Sequence, residues 1–135
     1  PLSFDQARLP EASLLGEANQ GLKVMLSALD AARVGSAAIA VGLGQAVLAA
    51  ATTYARQRRQ FGRAIADFQG TQWKLAELAT DLEAARLLTL KAAWLRDQQR
   101  PYGTAAAMAK KFATDAVAAK KSGTSISSIS YQPML

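Results

Sequence analysis

A chain of 135 residues holds one domain of ordinary size, large enough for a hydrophobic core of its own. Half of it is hydrophobic and 19% is charged, which excludes wholesale disorder. Sixteen Lys and Arg against ten Asp and Glu give a formal net charge of +6. With no histidine and no cysteine, disulfides, thiolate nucleophiles, zinc fingers, imidazole bases and Ser-His-Asp triads are excluded, and any acid-base chemistry falls to carboxylates, lysine, tyrosine or a cofactor.

Residues 1–18 carry Pro1 and Pro10 among mixed polarity, which predicts an extended strand and turn leading into the domain. Charges are scattered through PLSFDQARLPEASLLGE, so no secretory or transit segment is visible. The start at proline suggests a piece of a longer chain, and the expected location is cytoplasmic. From Asn19 or Gln20 onward, Leu22, Met25, Leu26, Leu29, Ile39 and Leu43 follow the 3.6-residue period and predict a long helix ending near Gln60, with Gly62 as its stop.

The stretch from Val34 to Ala55 has no charged residue and is as long as a bilayer-spanning helix. Its apolar content is mostly alanine, diluted by Gly35, Ser36, Gly42, Gly44, Gln45, Thr52 and Thr53. That composition reads as a helix buried on most sides by other helices and not as a membrane span. A short connection, FGRAIADF, leads to a second amphipathic run from about Phe68 with Leu75, Leu78, Leu82, Ala85, Leu88, Ala92 and Leu95 on one face.

Pro101 and Gly103 punctuate the chain, and a third helix is predicted from Thr104, an N-cap candidate, to Gly123. The bundle domain thus spans 19–121. The serine-rich remainder, 122–135, is expected to be disordered. The fold class is all-α: an antiparallel helical bundle of two long helices and one shorter one, with a short extended lead-in. Open apolar faces on three such helices call for partner chains, so a homo-oligomer is expected.

Charge is densest where Arg56, Arg58, Arg59 and Arg63 surround Phe61 and Gly62, an arrangement suited to an anion. A plain alternative is a solvated helix end whose cations answer the C-terminal carbonyls. A nucleic-acid binder is a further alternative, weakened by the even spread of the other charges. Trp73, Trp94, Met108 and Phe112 are expected in the core by residue type, whereas Tyr54 fits either setting. Lys110 and Lys111 with Asp115 read as a solvated face. No metal site is expected.

The string Arg58-Arg59-Gln60-Phe61-Gly62, with Gln69 seven residues after Gly62, resembles the R-x-x-F-G-x(6)-Q signature of the acyl-CoA dehydrogenase family. FDQARLPEASLLGEANQGLKVML is similar to that family's passage from its β domain into its C-terminal helical domain. LDAAR at Leu29 to Arg33 resembles its L-D-x-x-R, and AAMAKKFATD at Ala106 to Asp115 its A-x-x-A-K-x-x-A. The matches keep their order and cover about Phe4 to Ala118.

The resemblance implies FAD as cofactor, an acyl-CoA or other acyl thioester as substrate, a dimer or tetramer, and an electron-transfer flavoprotein as redox partner. Residues 1–18 would then close the family's β domain. Arg58 would meet the pyrophosphate of an FAD bound mainly by a neighbouring subunit. Phe61 would pack on the cofactor, Gln69 would hydrogen-bond toward its adenosine, and Arg59, Gln60 and Phe68 would flank them. Asp30 and Arg33 would lie near the acyl-CoA pocket, unless they form only an i to i+3 ion pair.

The family reaction removes an α-proton with a glutamate while a β-hydride moves to flavin N5. In most members the glutamate follows a Gly-Gly-x-Gly-Tyr stretch that is not found here. In a minority it precedes the arginine of L-D-x-x-R, where this chain has Ala32. No catalytic base is therefore assigned. The chain is expected to be inactive alone, as a truncated C-terminal domain, with a non-enzymatic helical assembly module as the second reading.

Overall fold

In the computed structural model, residues 2–118 are described; the expected disordered tail over 122–135 lies outside them. The chain order is α1 (Gly21–Gln57), β1 (Arg59–Gln60), β2 (Arg63–Ala64), α2 (Gln69–Asp97) and α3 (Gly103–Ala118), with 3-10 turns at Glu11–Ser13 and Ile65–Asp67. Among the described residues the lead-in contains no strand, and its residues are exposed. Its backbone is extended at Pro10 and Leu14 on either side of the first 3-10 turn.

The all-α bundle is confirmed. Short connections fold α2 back against α1 and α3 back against α2. Gly44 of α1 faces both Leu82 of α2 and Val117 of α3, while Asp30 faces Gly103, so positions on α1 and α3 advance together. These two helices run parallel, with α2 antiparallel to both. At ~1.5 Å per residue α1 is roughly 55 Å long, so its last three turns lie past the level of Ala118, the last described residue, and among the described residues α2 and the hairpin accompany them; the predicted continuation of the third helix to Gly123 lies outside the described residues.

The core is made of small residues. Ala37, Ala85, Ala92, Ala106, Ala109 and Ala113 are fully buried and form one cluster with Val41. Leu78 and Leu82 add the larger buried side chains of α2. Alanine on all three helices lets their axes approach closely, so dispersion between backbones replaces interlocking of long side chains. Thr89 is the buried polar residue of this seam, and its hydroxyl donates to the Ala85 carbonyl at 2.8 Å.

This seam corrects two expectations. Leu22, Met25, Leu26, Leu29, Ile39 and Leu43, the residues that predicted α1, are exposed, and so are Trp73, Trp94, Met108 and Phe112. Only 22% of the most apolar window of α1 is buried within the chain, although its length and composition would suffice to cross a membrane. Periodicity marks an apolar face without saying which of two such faces turns inward. Here the alanine faces do, and the larger side chains point outward. On α2 the expected face is the buried one.

The helix ends also differ in detail. α1 stops at Gln57, three residues before the predicted Gln60, because Arg58 turns extended while its N–H still donates to the Tyr54 carbonyl at 2.8 Å. Gly62 is consequently a turn residue and not the helix stop. α3 begins at Gly103, and the Tyr102 carbonyl takes its first bond, from the Ala106 N–H at 2.8 Å; Thr104 is thus inside the helix and does not cap it. α2 ends in a Schellman motif in which the Arg100 N–H donates to Leu95 and the Gln99 N–H to Arg96, both at 2.9 Å, with Gln99 at φ +53°.

The two mid-helix glycines of α1 separate packing from propensity. A methyl group on Gly44 would collide with the Leu82 side chain and sit 3.2 Å from Val117, whereas one on Gly42 would meet nothing within 4 Å. Gly42→Ala is expected to raise stability by about 0.5–1 kcal/mol through helix propensity. Gly44→Leu is expected to lower it by about 1–3 kcal/mol through overpacking. Thermal unfolding of the two variants beside the parent checks both signs.

Candidate functional site

The connection between α1 and α2 is a miniature hairpin. Arg59 pairs with Ala64 and Gln60 with Arg63 in antiparallel register, leaving Phe61 and Gly62 as a two-residue turn. Both have positive φ, +50° and +81°, as a type I′ turn demands. Glycine adopts that backbone freely and asparagine does so readily, but an aromatic residue does so at a cost. Sequence reasoning saw a short connection here and missed the hairpin, because the usual Asn-Gly signal is replaced by Phe-Gly.

The hairpin is fastened at both ends. The Ile65 N–H donates to the Arg58 carbonyl at 2.8 Å, and the Thr71 and Gln72 N–H groups at the start of α2 donate to the Phe68 carbonyl at 2.9 and 3.1 Å. The Gln72 amide reaches back to the Ala66 carbonyl at 3.0 Å, and Arg59 Nη2 donates to the Gly62 carbonyl at 3.4 Å. These bonds fix the turn relative to the end of α1 and the start of α2. Phe61 is 93% exposed there.

Beside the turn lies a recess of about 270 Å³ lined by Arg58, Gln60, Phe61, Ile65, Phe68 and Thr71. Of the expected site residues, Arg58, Gln60, Phe61 and Phe68 therefore come together in one place. Arg59 lies on the opposite face of the two-stranded ladder from Gln60 and is engaged with the turn carbonyl. Gln69 is the exposed first residue of α2, next to the recess but not in its lining. Ile65 and Thr71 were not anticipated; Thr71 stands one helical turn beyond Phe68, a spacing that would have found it.

Arg63 belongs to the charge cluster but had been given no role. Its guanidinium carbon lies 4.1 Å from the centroid of the Phe68 ring. The Phe61 ring meets the same Phe68 ring edge-on, with centroids 6.3 Å apart and planes at 80°. The recess thus offers aromatic surface, the Arg58 guanidinium, an amide and a hydroxyl, with no carboxylate in its lining among the described residues.

Asp30 and Arg33 are elsewhere. Arg33 Nη1 donates to Asp30 Oδ1 at 2.7 Å, both side chains being part-buried. The Asp30 carboxylate packs against Gly103 at the start of α3, where a methyl group would stand 2.6 Å from Oδ2. Along α1 this pair is separated from Arg58 by 28 residues, roughly 42 Å, so one chain does not combine the two groups in a single site. Ala32 is exposed, and its carbonyl accepts the Ser36 hydroxyl at 2.9 Å.

The described pKa shifts are remote from both places. On α2, hydrogen bonds from Arg86 hold the Glu83 carboxyl below its ordinary value, and Asp115 raises Lys111 on α3. The Lys111–Asp115 pair, at 2.8 Å, is the solvated face expected from the sequence.

The turn itself makes a prediction. Asparagine at position 61 relieves a left-handed backbone that costs a non-glycine residue about 1–2 kcal/mol. It also gives up an exposed edge contact worth about 0.5 kcal/mol at this separation. Phe61→Asn is therefore expected to stabilise the chain by about 0.5–1.5 kcal/mol, as a higher midpoint in urea unfolding.

Residues 19–119 match the family model described as acyl-CoA dehydrogenase, C-terminal domain. The probable acyl-CoA dehydrogenase YngJ of Bacillus subtilis is 47% identical over 112 residues, which are 83% of this chain and 30% of the relative. The structure of butyryl-CoA dehydrogenase from Megasphaera elsdenii superposes with a TM-score of 0.80 at 40% identity, covering 84% of this chain and 30% of that one. A structure of PigA with FAD and proline superposes at 0.76 with 25% identity, covering 93% and 35%. The chain thus spans about 30% of the length of the curated relatives it matches.

Proposed function

The chain belongs to the acyl-CoA dehydrogenase family as its C-terminal helical domain, and from that premise we propose that its hairpin end supplies part of an FAD site for the α,β-dehydrogenation of acyl thioesters. The observation that carries this reading is Phe61. It is held 93% exposed on a left-handed backbone, beside Arg58 and Gln60 in one recess. Backbone strain is retained where something else depends on it, and an aromatic ring kept out of the core at that cost suits a flat ring system.

The donor set fits the cofactor. The Arg58 guanidinium is a planar fork matched to a pyrophosphate. Gln60 and Gln69 each offer one acceptor and two N–H donors for ribose and adenine edges. Thr71 adds a hydroxyl on the recess wall. Phe61 and Phe68 give apolar faces that exclude water from the contact. In support, the fold is shared with PigA, whose structure carries FAD.

Arg58, Gln60, Phe61 and Phe68 would hold the FAD, which would supply a hydride acceptor for the β-carbon of the thioester. The share of this chain's described residues in that chemistry is binding and orientation. The recess lining lacks a carboxylate and Ala32 has no proton acceptor, so the described residues assign no base. At the other end of α1, Arg33 gives one N–H to Asp30 and keeps four donors for the acyl-CoA. The ~42 Å between the two groups fits a protein in which one copy completes the cofactor site of another. The exposed Leu22, Met25, Leu26, Ile39 and Leu43 of α1 would then be covered by such copies. The same exposed surface favours the second reading, a helical assembly module without flavin.

Titration of the isotope-labelled chain with FAD into the millimolar range separates the two. The expected outcome is saturable shifts of the amide signals of Arg58, Phe61 and Thr71, weakened at least about tenfold by Arg58→Ala, the loss of a charged hydrogen bond of about 1.5–3 kcal/mol. Absence of saturable shifts in the folded chain rejects a flavin half-site formed by this chain alone and leaves the chain by itself as the assembly module.

A further inference from the structure

The hairpin holds an arrangement that the signature residues do not explain. Phe68 contacts two side chains that have no other aromatic or ionic fixture among the described residues: the ring of Phe61, edge-on, and the guanidinium of Arg63, 4.1 Å from its ring centroid. Phe68 is itself half-buried and rigidly placed. It is the N-cap residue of α2, and its carbonyl accepts two helix N–H groups. Arg63 pairs with Gln60 in the ladder, so their side chains share a face, and Gln60 lines the recess. One anchored ring thus touches both the aromatic at the turn and a cation whose ladder partner, Gln60, lines the recess.

We infer that Phe68 is a positioning residue: it pre-orders Phe61 and Arg63 for a flavin dinucleotide, and Arg63 provides a second guanidinium beside that of Arg58. This rests on the flavin reading of the recess. The physical reason is entropic. An exposed phenylalanine and an arginine with several rotatable bonds each lose side-chain freedom when a ligand fixes them, and a protein that fixes them beforehand spares the ligand that cost. An edge-on aromatic contact and a guanidinium stacked on a ring face are both attractive geometries for this purpose. Position 68 therefore requires a flat ring and not merely an apolar side chain.

The test has two readouts. In the ligand-free chain, ring current from Phe68 is expected to shift the side-chain protons of Arg63 upfield in the parent and in Phe68→Tyr. The shift should vanish in Phe68→Leu, with helical circular dichroism unchanged in all three. Titrated with FAD, Phe68→Leu is expected to bind about tenfold more weakly than the parent, corresponding to two side chains left to be ordered, and Phe68→Tyr within about twofold of it.

Should Phe68→Leu bind FAD as tightly as the parent while Arg58→Ala binds weakly, the positioning role is overturned and the flavin reading stands. Equal loss in Phe68→Tyr and Phe68→Leu with the Arg63 shift retained in the tyrosine variant also overturns it, since the ring would then act on the ligand alone. Failure of the parent chain to bind FAD at all overturns both.

Discussion

Close approach of three helices through alanine is the constraint on which this structure depends. Ala37, Ala85, Ala92, Ala106, Ala109 and Ala113 are fully buried against one another, so the helices meet backbone to backbone and the long side chains have nowhere to go but outward. Gly44 marks the tightest point, where even a methyl group would strike Leu82. A seam of this kind buries little area per residue, and hydrophobic stabilisation scales with area. The exposed leucines, tryptophans and methionines follow directly: the chain spends its smallest residues on its own packing and presents its largest ones to whatever surrounds it.

The same seam sets the position of the hairpin. Its alanines set α1 and α2 side by side, and the connection that joins their ends is fastened by the bonds at Arg58, Ile65, Phe68 and Gln72. A two-residue turn leaves no slack. Its left-handed backbone would suit asparagine better than phenylalanine, and the departure from the locally preferred residue coincides with the arginine cluster and the recess. Local preference is overridden where a surface is shaped for contact.

Much of this was legible in the sequence. The three helices and the bundle could be read from apolar spacing and from Pro101, and the RRQFG string singled out the connection beside which the recess lies. What the sequence hid has physical causes. Leu29, Ile39 and Leu43 advertise an apolar face as strongly as Ala37 and Val41 do, and only packing decides between them. The hairpin escaped because Phe-Gly is an unusual occupant of its turn. The pairing of Phe68 with Arg63 depends on a ladder of two residues per strand, too short to leave a periodic trace. Asp30 and Arg33 were correctly seen as a possible i to i+3 pair, but the contact of Asp30 with Gly103 joins residues far apart in the chain.

α1 also fixes a length. Asp30 and Arg33 sit near one end of an uninterrupted 37-residue helix and Arg58 caps the other, so the vector between them is set by the hydrogen-bond ladder and by nothing adjustable. One inserted residue would advance everything beyond it by about 1.5 Å and turn it by about 100°. The alanine seam or the hairpin could then keep its register, but not both. Surface loops generally absorb insertions; the 24 residues between Arg33 and Arg58 form a segment in which substitutions are tolerated position by position while the number of residues is not free to vary.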